Sequence, residues 1–363
     1  MSKKEGWRRY VDDTPRVMPE KLTRAAISKL GADALVDYNE DRKDWHANLP
    51  VMETPQVKAG LKEITTVVDS NRNDPGRPRS AAVIDSLSQL GKTTLADHYG
   101  RIFDRFQRRR FGTETVVGNQ RLPVFRLSLR EGMTTIGLGR RICRFYGHPG
   151  AEIGDGDAVL ERVKDCFTSC ETQLGIIDDL HFVNPRHKSG VALSNYLKSL
   201  SNDIPITFIY TGIGLYERGY FDEGLPAEEV SLSQSGRRWV PVLLRPFDIT
   251  NDVGRRGWSR LLATIEKQLV LADARPGMLS EMSDYLFART TGYIGSFMDL
   301  IKRGCREAVE QKRECLTMDL LDECPVDSAA MKSERELLAA FGAGRLSTQV
   351  RRGRGARNRV EAS

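Results

Sequence analysis

Three consecutive residues, Gly91, Lys92 and Thr93, have the chemistry of a phosphate-binding loop. The lysine ammonium can contact the β- and γ-phosphates of a nucleotide, and the threonine hydroxyl beside it can ligate Mg²⁺. The full motif also has a glycine five positions before Gly91, where this chain has Ser86. A chance Gly-Lys-Thr tripeptide is the alternative. We expect ATP to contact seven consecutive residues: Ser88, Gln89, Leu90, Gly91, Lys92, Thr93 and Thr94.

Two adjacent carboxylates follow a second apolar run. Ile176 and Ile177 lead directly into Asp178 and Asp179. In α/β sheets the carboxyl ends of the strands face the crevice that binds ligands. We therefore expect Asp178 to hold Mg²⁺ through water, together with Thr93, and Asp179 to orient the attacking water as a base. A helix N-cap or a turn is the alternative role for Asp179.

Polar residues beside two further strands complete the predicted catalytic set of Asp179, Thr211, Arg237 and Arg238. Thr211 ends an apolar run, where its hydroxyl can sense the γ-phosphate or simply begin a turn. Arg237 and Arg238 precede the last predicted strand. In a ring of subunits an arginine there can reach the γ-phosphate of the neighbouring subunit and stabilise transition-state charge. A surface arginine pair is the alternative.

Strands and helices must alternate for these residues to meet. Apolar runs of strand length, separated by helical patterns, cover residues 81–84, 122–129, 173–177, 206–210 and 239–244. This alternation favours right-handed crossovers and a parallel sheet with helices on both faces. The sequence therefore predicts an α/β fold with a parallel five-stranded sheet between helices. Beyond Pro246 the strand patterns stop and helical patterns continue, which predicts an all-helical domain.

Composition and patterning divide the chain into four predicted segments. They are an N-terminal arm and helix that form a candidate partner-recruitment segment (1–70), an α/β nucleotide-binding domain (71–245), a helical lid domain (246–330) and a basic, disordered tail (331–363). The arm is expected to be loosely ordered over about its first 30 residues because it is polar and of mixed charge. One more helix is predicted from about Met331, before the Arg-rich end.

The formal net charge of +6 over 363 residues is mild, although arginines cluster near the C-terminal end. Such clusters can bind a phosphate backbone or form a solvated face. No apolar run approaches the ~20 residues of a membrane span, and the charged N-terminus is not followed by an apolar region. We therefore expect a cytoplasmic protein. None of the six cysteines forms a C-x-x-C pair, which argues against a zinc site.

The order of these elements resembles that of an AAA+ ATPase: a phosphate loop, an acidic strand, a polar strand end, arginines before the last strand, and a helical lid. More narrowly, the chain resembles the TniB/TnsC group of transposition ATPases, especially the TniB-like proteins of actinobacteria. The resemblance spans roughly residues 40 to 325. It is carried by Ile177–His181, Leu193–Leu200, Pro205–Gly212, Gln234–Trp239 and Gly292–Ile301.

This resemblance implies an ATP-dependent regulator of a DNA transposase. Such proteins assemble with ATP and Mg²⁺ as rings or filaments on double-stranded DNA, recruit or activate a transposase or integrase, and are released by hydrolysis. It also implies that Arg130, Thr134 and Thr135 lie where relatives follow a DNA backbone, to which Arg140 can add a contact. A capped helix start at Thr134 or Thr135 is the alternative. A membrane partner is not expected.

Two departures from the family pattern bear on turnover. Asp179 replaces the usual glutamate and is one methylene shorter, so slow hydrolysis is expected. Gly295 stands where many AAA+ lids have an arginine that contacts the nucleotide. Two other functions remain open: a nucleotide-gated signalling or scaffolding module, for example in phage defence, that does not bind DNA, and a helicase-loader-like ATPase.

Overall fold

The computed structural model describes residues 1–72, 79–183, 188–215, 217 and 238–350. The chain separates into two compact units. The first comprises Met1–Pro15 and Gln56–Arg245, and it contains the sheet. The second comprises Arg16–Pro55 and the residues from Pro246 onward, and the regular secondary structure among its described residues is helical.

Within the described residues, five strands form one parallel sheet in the order β2-β3-β4-β1-β5. The strands are β1 (Ala81–Asp85), β2 (Val124–Ser128), β3 (Leu174–Asp178), β4 (Thr207–Gly212) and β5 (Trp239–Leu243). The predicted fold class is therefore confirmed. Every residue of β1, β3 and β4 is buried, as expected for strands covered on both faces. Pro241 lies in β5, at the end of this strand order, where a missing backbone donor is tolerated.

The described helices, in chain order, are α1 (Lys4–Asp12), α2 (Arg24–Ile27), α3 (Ala32–Ala47), α4 (Pro55–Ser70), α5 (Lys92–Phe111), α6 (Thr135–Tyr146), α7 (Gly156–Ser169), α8 (Lys188–Asp203), α9 (Asp252–Glu266), α10 (Met278–Glu281), α11 (Ser283–Thr290), α12 (Ile294–Glu310), α13 (Met318–Asp322) and α14 (Ser328–Gly342). A short 3₁₀ helix, Leu180–Phe182, follows β3. Within the described residues, no helix is both long enough and apolar enough to cross a bilayer.

The first residues of the chain are ordered, whereas the sequence predicted a loose arm. Trp7 and Val11 lie one turn apart on α1, and both side chains are fully buried. Trp7 Nε1 donates a hydrogen bond to Asp104 Oδ2 of α5 at 2.9 Å. A Cβ at Gly100 would lie 2.9 Å from the Trp7 ring and 2.6 Å from Ile176 Cδ1, so this close approach requires glycine. Two apolar residues on one helix face thus outweigh the polar composition of the segment.

The second unit packs around Trp258, which meets the rings of Phe287 and Phe297 edge-on at centroid distances of 5.4 and 5.0 Å. Residues 16–55 belong to this unit rather than to the sheet. Arg42 of α3, 1% exposed, donates two hydrogen bonds to Glu314, at 2.7 and 3.1 Å. This bidentate ion pair anchors residues of the N-terminal segment among the other helices of the second unit.

The first part of the segment predicted as a disordered tail, residues 331–342, lies in helix α14, which starts at Ser328. Asp327 Oδ1 accepts hydrogen bonds from the amides of Ala329 and Ala330 at 3.1 and 3.0 Å, which fixes the start of α14. The expectation of one more helix from about Met331 agrees with α14. The Arg-rich stretch 351–363 lies outside the described residues.

Candidate nucleotide-binding site

The loop between β1 and α5 turns at two residues with left-handed backbone. Gln89 has φ 62°, and Gly91, the N-cap of α5, has φ 85°. Ser86 has no such conformation. The backbone of this chain therefore does not require a glycine at position 86, and the departure from the motif there is sterically neutral.

The start of α5 presents backbone donors. Leu95 N donates to Gly91 O at 2.8 Å. Among the described residues, no acceptor is paired with the amides of Lys92, Thr93 and Thr94, and no side chain caps the helix. Free donors combined with the positive end of a helix dipole form an anion site. The loop therefore fits the phosphates of a nucleotide.

The side chains of the seven predicted contact residues differ in accessibility. Those of Ser88, Gln89, Thr93 and Thr94 are exposed, whereas that of Leu90 is buried. Leu90 can therefore contribute only its backbone to a nucleotide contact.

Lys92 lies inside the loop. Its Nζ donates hydrogen bonds to Ser86 O at 3.0 Å and to Leu87 O at 2.7 Å. Burial lowers the pKa of Lys92, and the charges of nearby aspartates oppose that shift. Phosphate oxygens would compete with these two carbonyls for the same ammonium group.

Three predicted site residues from three separate elements meet at one carboxylate. Asp178, 4% exposed at the end of β3, accepts a hydrogen bond from Thr93 Oγ1 at 3.0 Å. Thr211 Oγ1, at the end of β4, is hydrogen-bonded to Asp178 Oδ1. The structure thus brings the predicted metal residues and the predicted strand-end hydroxyl together.

This oxygen set fits Mg²⁺, which is commonly held by one or two carboxylates while substrate phosphates and waters complete its shell. Asp178 and Thr93 would be its protein ligands. The described residues contain no group of three or more His, Cys, Asp or Glu side chains arranged to hold a metal. A stable metal site would therefore need the oxygens of a nucleotide.

Arg126, which the sequence reasoning missed, is the third partner of Asp178. This residue lies in the middle of β2, and its Nη2 donates to Asp178 Oδ2 at 2.7 Å. Its Nε donates to Asp97 Oδ1 of α5 at 3.1 Å, and its Nη1 donates to Ser128 Oγ at 2.7 Å. A charged residue at the centre of an apolar strand was the available signal, because a buried arginine needs partners.

Asp97 is a second carboxylate that the sequence did not single out. Burial raises the pKa of Asp97 to about 6, and the positive charge of Arg126 opposes the rise. Asp97, Arg126 and Asp178 form a continuous buried chain of charges. The guanidinium group therefore helps to fix the position of Asp178, together with the hydroxyls of Thr93 and Thr211.

Asp179 has a left-handed backbone, φ 63°, immediately before the 3₁₀ helix. Its amide donates to Asp178 Oδ1 at 3.1 Å, but its side chain does not cap the helix, so the cap alternative is not realised. Among the described residues, no hydrogen-bond or ion-pair partner holds this carboxylate. Burial, followed by the charge of Asp178, raises the pKa of Asp179. A half-buried carboxylate with a raised pKa is suited to accept a proton.

The two predicted arginines before β5 are not part of this cluster. Arg237 lies outside the described residues, as does the stretch from Gln234 that precedes it. Arg238 Nη1 donates to Asn202 Oδ1 at 3.2 Å, and its carbonyl accepts from Ala81 N at the start of β1. Arg238 therefore lies at the amino end of the strands, away from Asp178 of the same chain.

The predicted DNA residues surround the start of α6. Arg130 is exposed in the loop after β2, and Thr135 is the first residue of the helix. Thr134 Oγ1 accepts a hydrogen bond from Gly137 N at 3.0 Å, so the capping alternative is realised for this residue. Arg140 is half-buried and donates to Gly154 O at 3.3 Å.

The fold is shared with solved structures of low sequence identity. The Aeropyrum pernix ORC1 protein, solved in complex with DNA, superposes with a TM-score of 0.56 at 16% identity, covering 78% of this chain and 68% of that one. The Aeropyrum pernix ORC2 protein, in ADPNP–ADP complexes, superposes with a TM-score of 0.54 at 16% identity, covering 77% of this chain and 70% of that one. Cdc6p of Pyrobaculum aerophilum superposes with a TM-score of 0.51 at 13% identity, covering 76% of this chain and 68% of that one. At these identities the likeness shows the fold, which is that of AAA+ ATPases.

Sequence comparison gives the family. No curated protein matches the chain. Residues 46–217, which include the loop, β3 and β4, match the family described as "Bacterial TniB protein". The predicted resemblance is thereby confirmed: over residues 46–217 this chain is a match to the TniB family, carried on the AAA+ ATPase fold.

Proposed function

We propose that this protein is an ATP-dependent, DNA-binding regulator of transposition that hydrolyses ATP slowly. The observation that supports this function best is the convergence of Thr93, Asp178 and Thr211 beside the start of α5, within a TniB-family segment. In this proposal the chain assembles with ATP on duplex DNA, as a ring or filament, and recruits or activates a transposase or integrase.

The loop residues bind and orient the nucleotide. The free amides at the start of α5 would hold phosphate oxygens, and Lys92 would exchange its two carbonyl partners for them. Thr93 and Asp178 would hold Mg²⁺, whose charge would neutralise the phosphates. Thr211, hydrogen-bonded to Asp178, would report on the γ-phosphate through that carboxylate.

Asp179 would orient the attacking water and accept its proton. Its carboxylate is not held by the described residues, and burial, followed by the charge of Asp178, raises the pKa of Asp179, which makes it a better proton acceptor. The side chain is one methylene shorter than glutamate, so water would be held at a less favourable distance. Slow hydrolysis would prolong the ATP-bound assembly.

The DNA surface would be the loop and helix start after β2. Arg130 is exposed there and can contact a phosphate, while Thr135 and the amides of the first turn of α6 can add hydrogen bonds. Thr134 would act mainly by fixing the helix start. Arg238, and Arg237 beside it, would act on the nucleotide of a neighbouring subunit, since Arg238 is remote from Asp178 of its own chain.

Titration calorimetry with Mg²⁺–ATP tests the nucleotide site. Lys92→Ala is expected to weaken binding by about a hundredfold or more, because the two charge-assisted hydrogen bonds from the lysine to phosphate oxygens are lost.

Asp179→Asn should retain ATP affinity and lower turnover by roughly a hundredfold. Asp179→Glu should raise turnover, since it restores the family side chain. Equal turnover in the wild type and Asp179→Asn would remove Asp179 from the mechanism.

Fluorescence anisotropy with labelled duplex DNA tests the DNA-binding function. Binding should require ATP or a non-hydrolysable analogue, fall steeply with salt, and disappear in Lys92→Ala. Arg130→Gln should reduce the slope of log affinity against log salt concentration by about 1, which corresponds to the loss of one phosphate contact. Arg144→Gln is the matched control on α6, because Arg144 is paired with Glu152 at 3.0 Å. ATP binding without any DNA binding would favour the signalling or scaffolding function instead.

Partner capture tests the transposition role. The full-length protein, loaded with the ATP analogue on duplex DNA, is expected to retain a transposase encoded beside its gene and to release it when ATP replaces the analogue. Retention of a replicative helicase in place of a transposase would favour the helicase-loader function.

A further inference from the structure

A cavity of about 290 Å³ lies at the amino ends of the strands, in the first unit. Its lining includes Arg79 just before β1, Gln173 just before β3, and Thr207 at the start of β4. The candidate nucleotide site lies at the opposite, carboxyl ends of the same strands. The volume is near the lower limit of typical small-ligand pockets, about 300 Å³.

Arg79 is a buried cation that has no counter-ion among the residues the structure describes. The residue is 8% exposed, and within the described ranges no hydrogen-bond or ion-pair acceptor contacts its guanidinium group. Burial is the cause that lowers the pKa of Arg79, with no carboxylate opposing it. An unpaired buried charge is costly, and proteins normally pair it or bind an ion to it.

A second unsatisfied polar group lines the same cavity. Gln107 of α5 is 6% exposed, and its Oε1 is buried without a hydrogen-bond partner among the described residues. Rotation of the amide would present its two N–H donors instead. Asn71 differs, since its amide nitrogen donates to Ser80 O at 2.7 Å and to Thr207 Oγ1 at 3.0 Å. Among these polar side chains of the cavity wall, Arg79 and Gln107 therefore have groups without a hydrogen-bond partner among the described residues, whereas the Asn71 amide is bonded.

The remaining wall is partly apolar. Val68 of α4 and Phe103 of α5 line the cavity and are 7% and 8% exposed. A free guanidinium, an adaptable amide and an apolar wall together match a small organic anion better than water alone. Arginine pairs with carboxylate and phosphate groups through two parallel hydrogen bonds.

We propose that the cavity bounded by Arg79 and Gln107 binds a small molecule through an oxyanion, either a carboxylate or a phosphate group. The Arg79 guanidinium binds the oxyanion, the Gln107 amide binds an adjacent polar group, and Phe103 contacts the carbon skeleton. This site is separate from the nucleotide loop and is independent of the function proposed above.

Calorimetric titration of the full-length protein with inorganic phosphate and with malonate, at constant ionic strength, tests the site. Lys92→Ala serves as the background, because the nucleotide loop is itself proposed to bind phosphate. The additional change Arg79→Gln should weaken binding at least tenfold. The additional change Arg72→Gln, at the same cavity, should alter affinity less than twofold, because Arg72 is exposed and paired with Asp69 at 3.0 Å.

Binding of either anion through Arg79 supports the proposal, and the preferred anion gives the ligand class. Equal affinities with and without Arg79→Gln would overturn it, as would the absence of binding of both anions to the Lys92→Ala protein. If circular dichroism shows that Arg79→Gln does not fold, the same titration is carried out with Arg79→Lys. This variant keeps the charge but cannot form the two parallel hydrogen bonds of a guanidinium group. An affinity unchanged by Arg79→Lys would then overturn the proposal.

Discussion

The two ends of the central sheet each contain a largely buried arginine, and the two arginines differ in whether a carboxylate is paired with them. Near the carboxyl ends, the Arg126 side chain is 13% exposed and is paired with both Asp97 and Asp178. At the amino ends, Arg79 is 8% exposed and has no carboxylate partner among the described residues. The first arginine is fully compensated by the chain itself. Among the described residues the second has no such compensation, and a bound anion would supply it.

This difference is consistent with the different roles proposed for the two ends: one fixes the Asp178 carboxylate, and the other keeps the Arg79 guanidinium available to a ligand. Asp178 receives hydrogen bonds from Thr93, Thr211, Arg126 and the amide of Asp179. A carboxylate with this many fixed donors is preorganised, so little rearrangement is required when charge changes beside it. A cavity that binds a separate ligand has the opposite requirement, since its cation must remain available.

Among substitutions at the two ends of the sheet, Arg126→Met should have the largest effect on stability. It leaves the buried carboxylates of Asp97 and Asp178 without their shared cation, and breaking a buried ion pair costs about 3–5 kcal/mol. Urea denaturation followed by circular dichroism measures the loss of unfolding free energy. Adding Asp97→Asn should recover part of it. A loss below about 1 kcal/mol would show that the network contributes little and that the two ends of the sheet are energetically alike.

The pH dependence of unfolding should reveal Asp97. Its folded-state pKa is raised from 3.8 to about 6, so the folded protein binds the proton more tightly than the unfolded chain. This carboxyl therefore lowers stability as pH rises from about 4 to 6, by about 3 kcal/mol at most, and has a constant effect above that range. The difference in unfolding free energy between wild type and Asp97→Asn, measured across about pH 4 to 7, should follow this curve. A flat difference would contradict it.

Arg79→Met should stabilise the protein, by about 1–2 kcal/mol in chloride buffer. The methionine fills similar space without burying a charge, and the described residues offer the Arg79 charge no counter-ion. Urea denaturation measures the gain, and malonate should reduce it by stabilising the wild type. Arg72→Met is the control and should change stability by less than about 0.5 kcal/mol, because Arg72 is exposed. A clear destabilisation by Arg79→Met would mean that Arg79 is already compensated.

The sheet and half of the nucleotide site were predictable because they depend on local pattern. Apolar runs gave the five strands, and the edge at which parallel strands end brought Thr93, Asp178 and Thr211 together. Arg126 was not predictable in its role. Its sequence neighbours describe an ordinary strand, whereas its partners Asp97 and Asp178 are set by how the strands and α5 pack.

Contacts between distant parts of the chain account for the other differences. Trp7 of α1 bonds to Asp104, 97 residues away, and Arg42 bonds to Glu314, 272 residues away. The sequence around each of these residues contains only a few apolar positions, and its pattern does not indicate which distant residue will be the partner. The cavity at Arg79 has the same origin, since residues before three different strands form its wall.

The smallest effect is expected at Ser86, the departure from the phosphate-loop motif. Its backbone is not left-handed, and its carbonyl already accepts from Lys92 Nζ. Ser86→Gly should therefore change ATP affinity less than about twofold and cost about 0.5–1 kcal/mol of stability through chain entropy. Gly91→Ala is the comparison, because φ 85° there forces a side chain into a strained conformation. Calorimetry with Mg²⁺–ATP measures both variants. A tenfold gain in affinity for Ser86→Gly would show that the loop is a weakened site, whereas unchanged affinity places its phosphate chemistry at Gly91 and the start of α5.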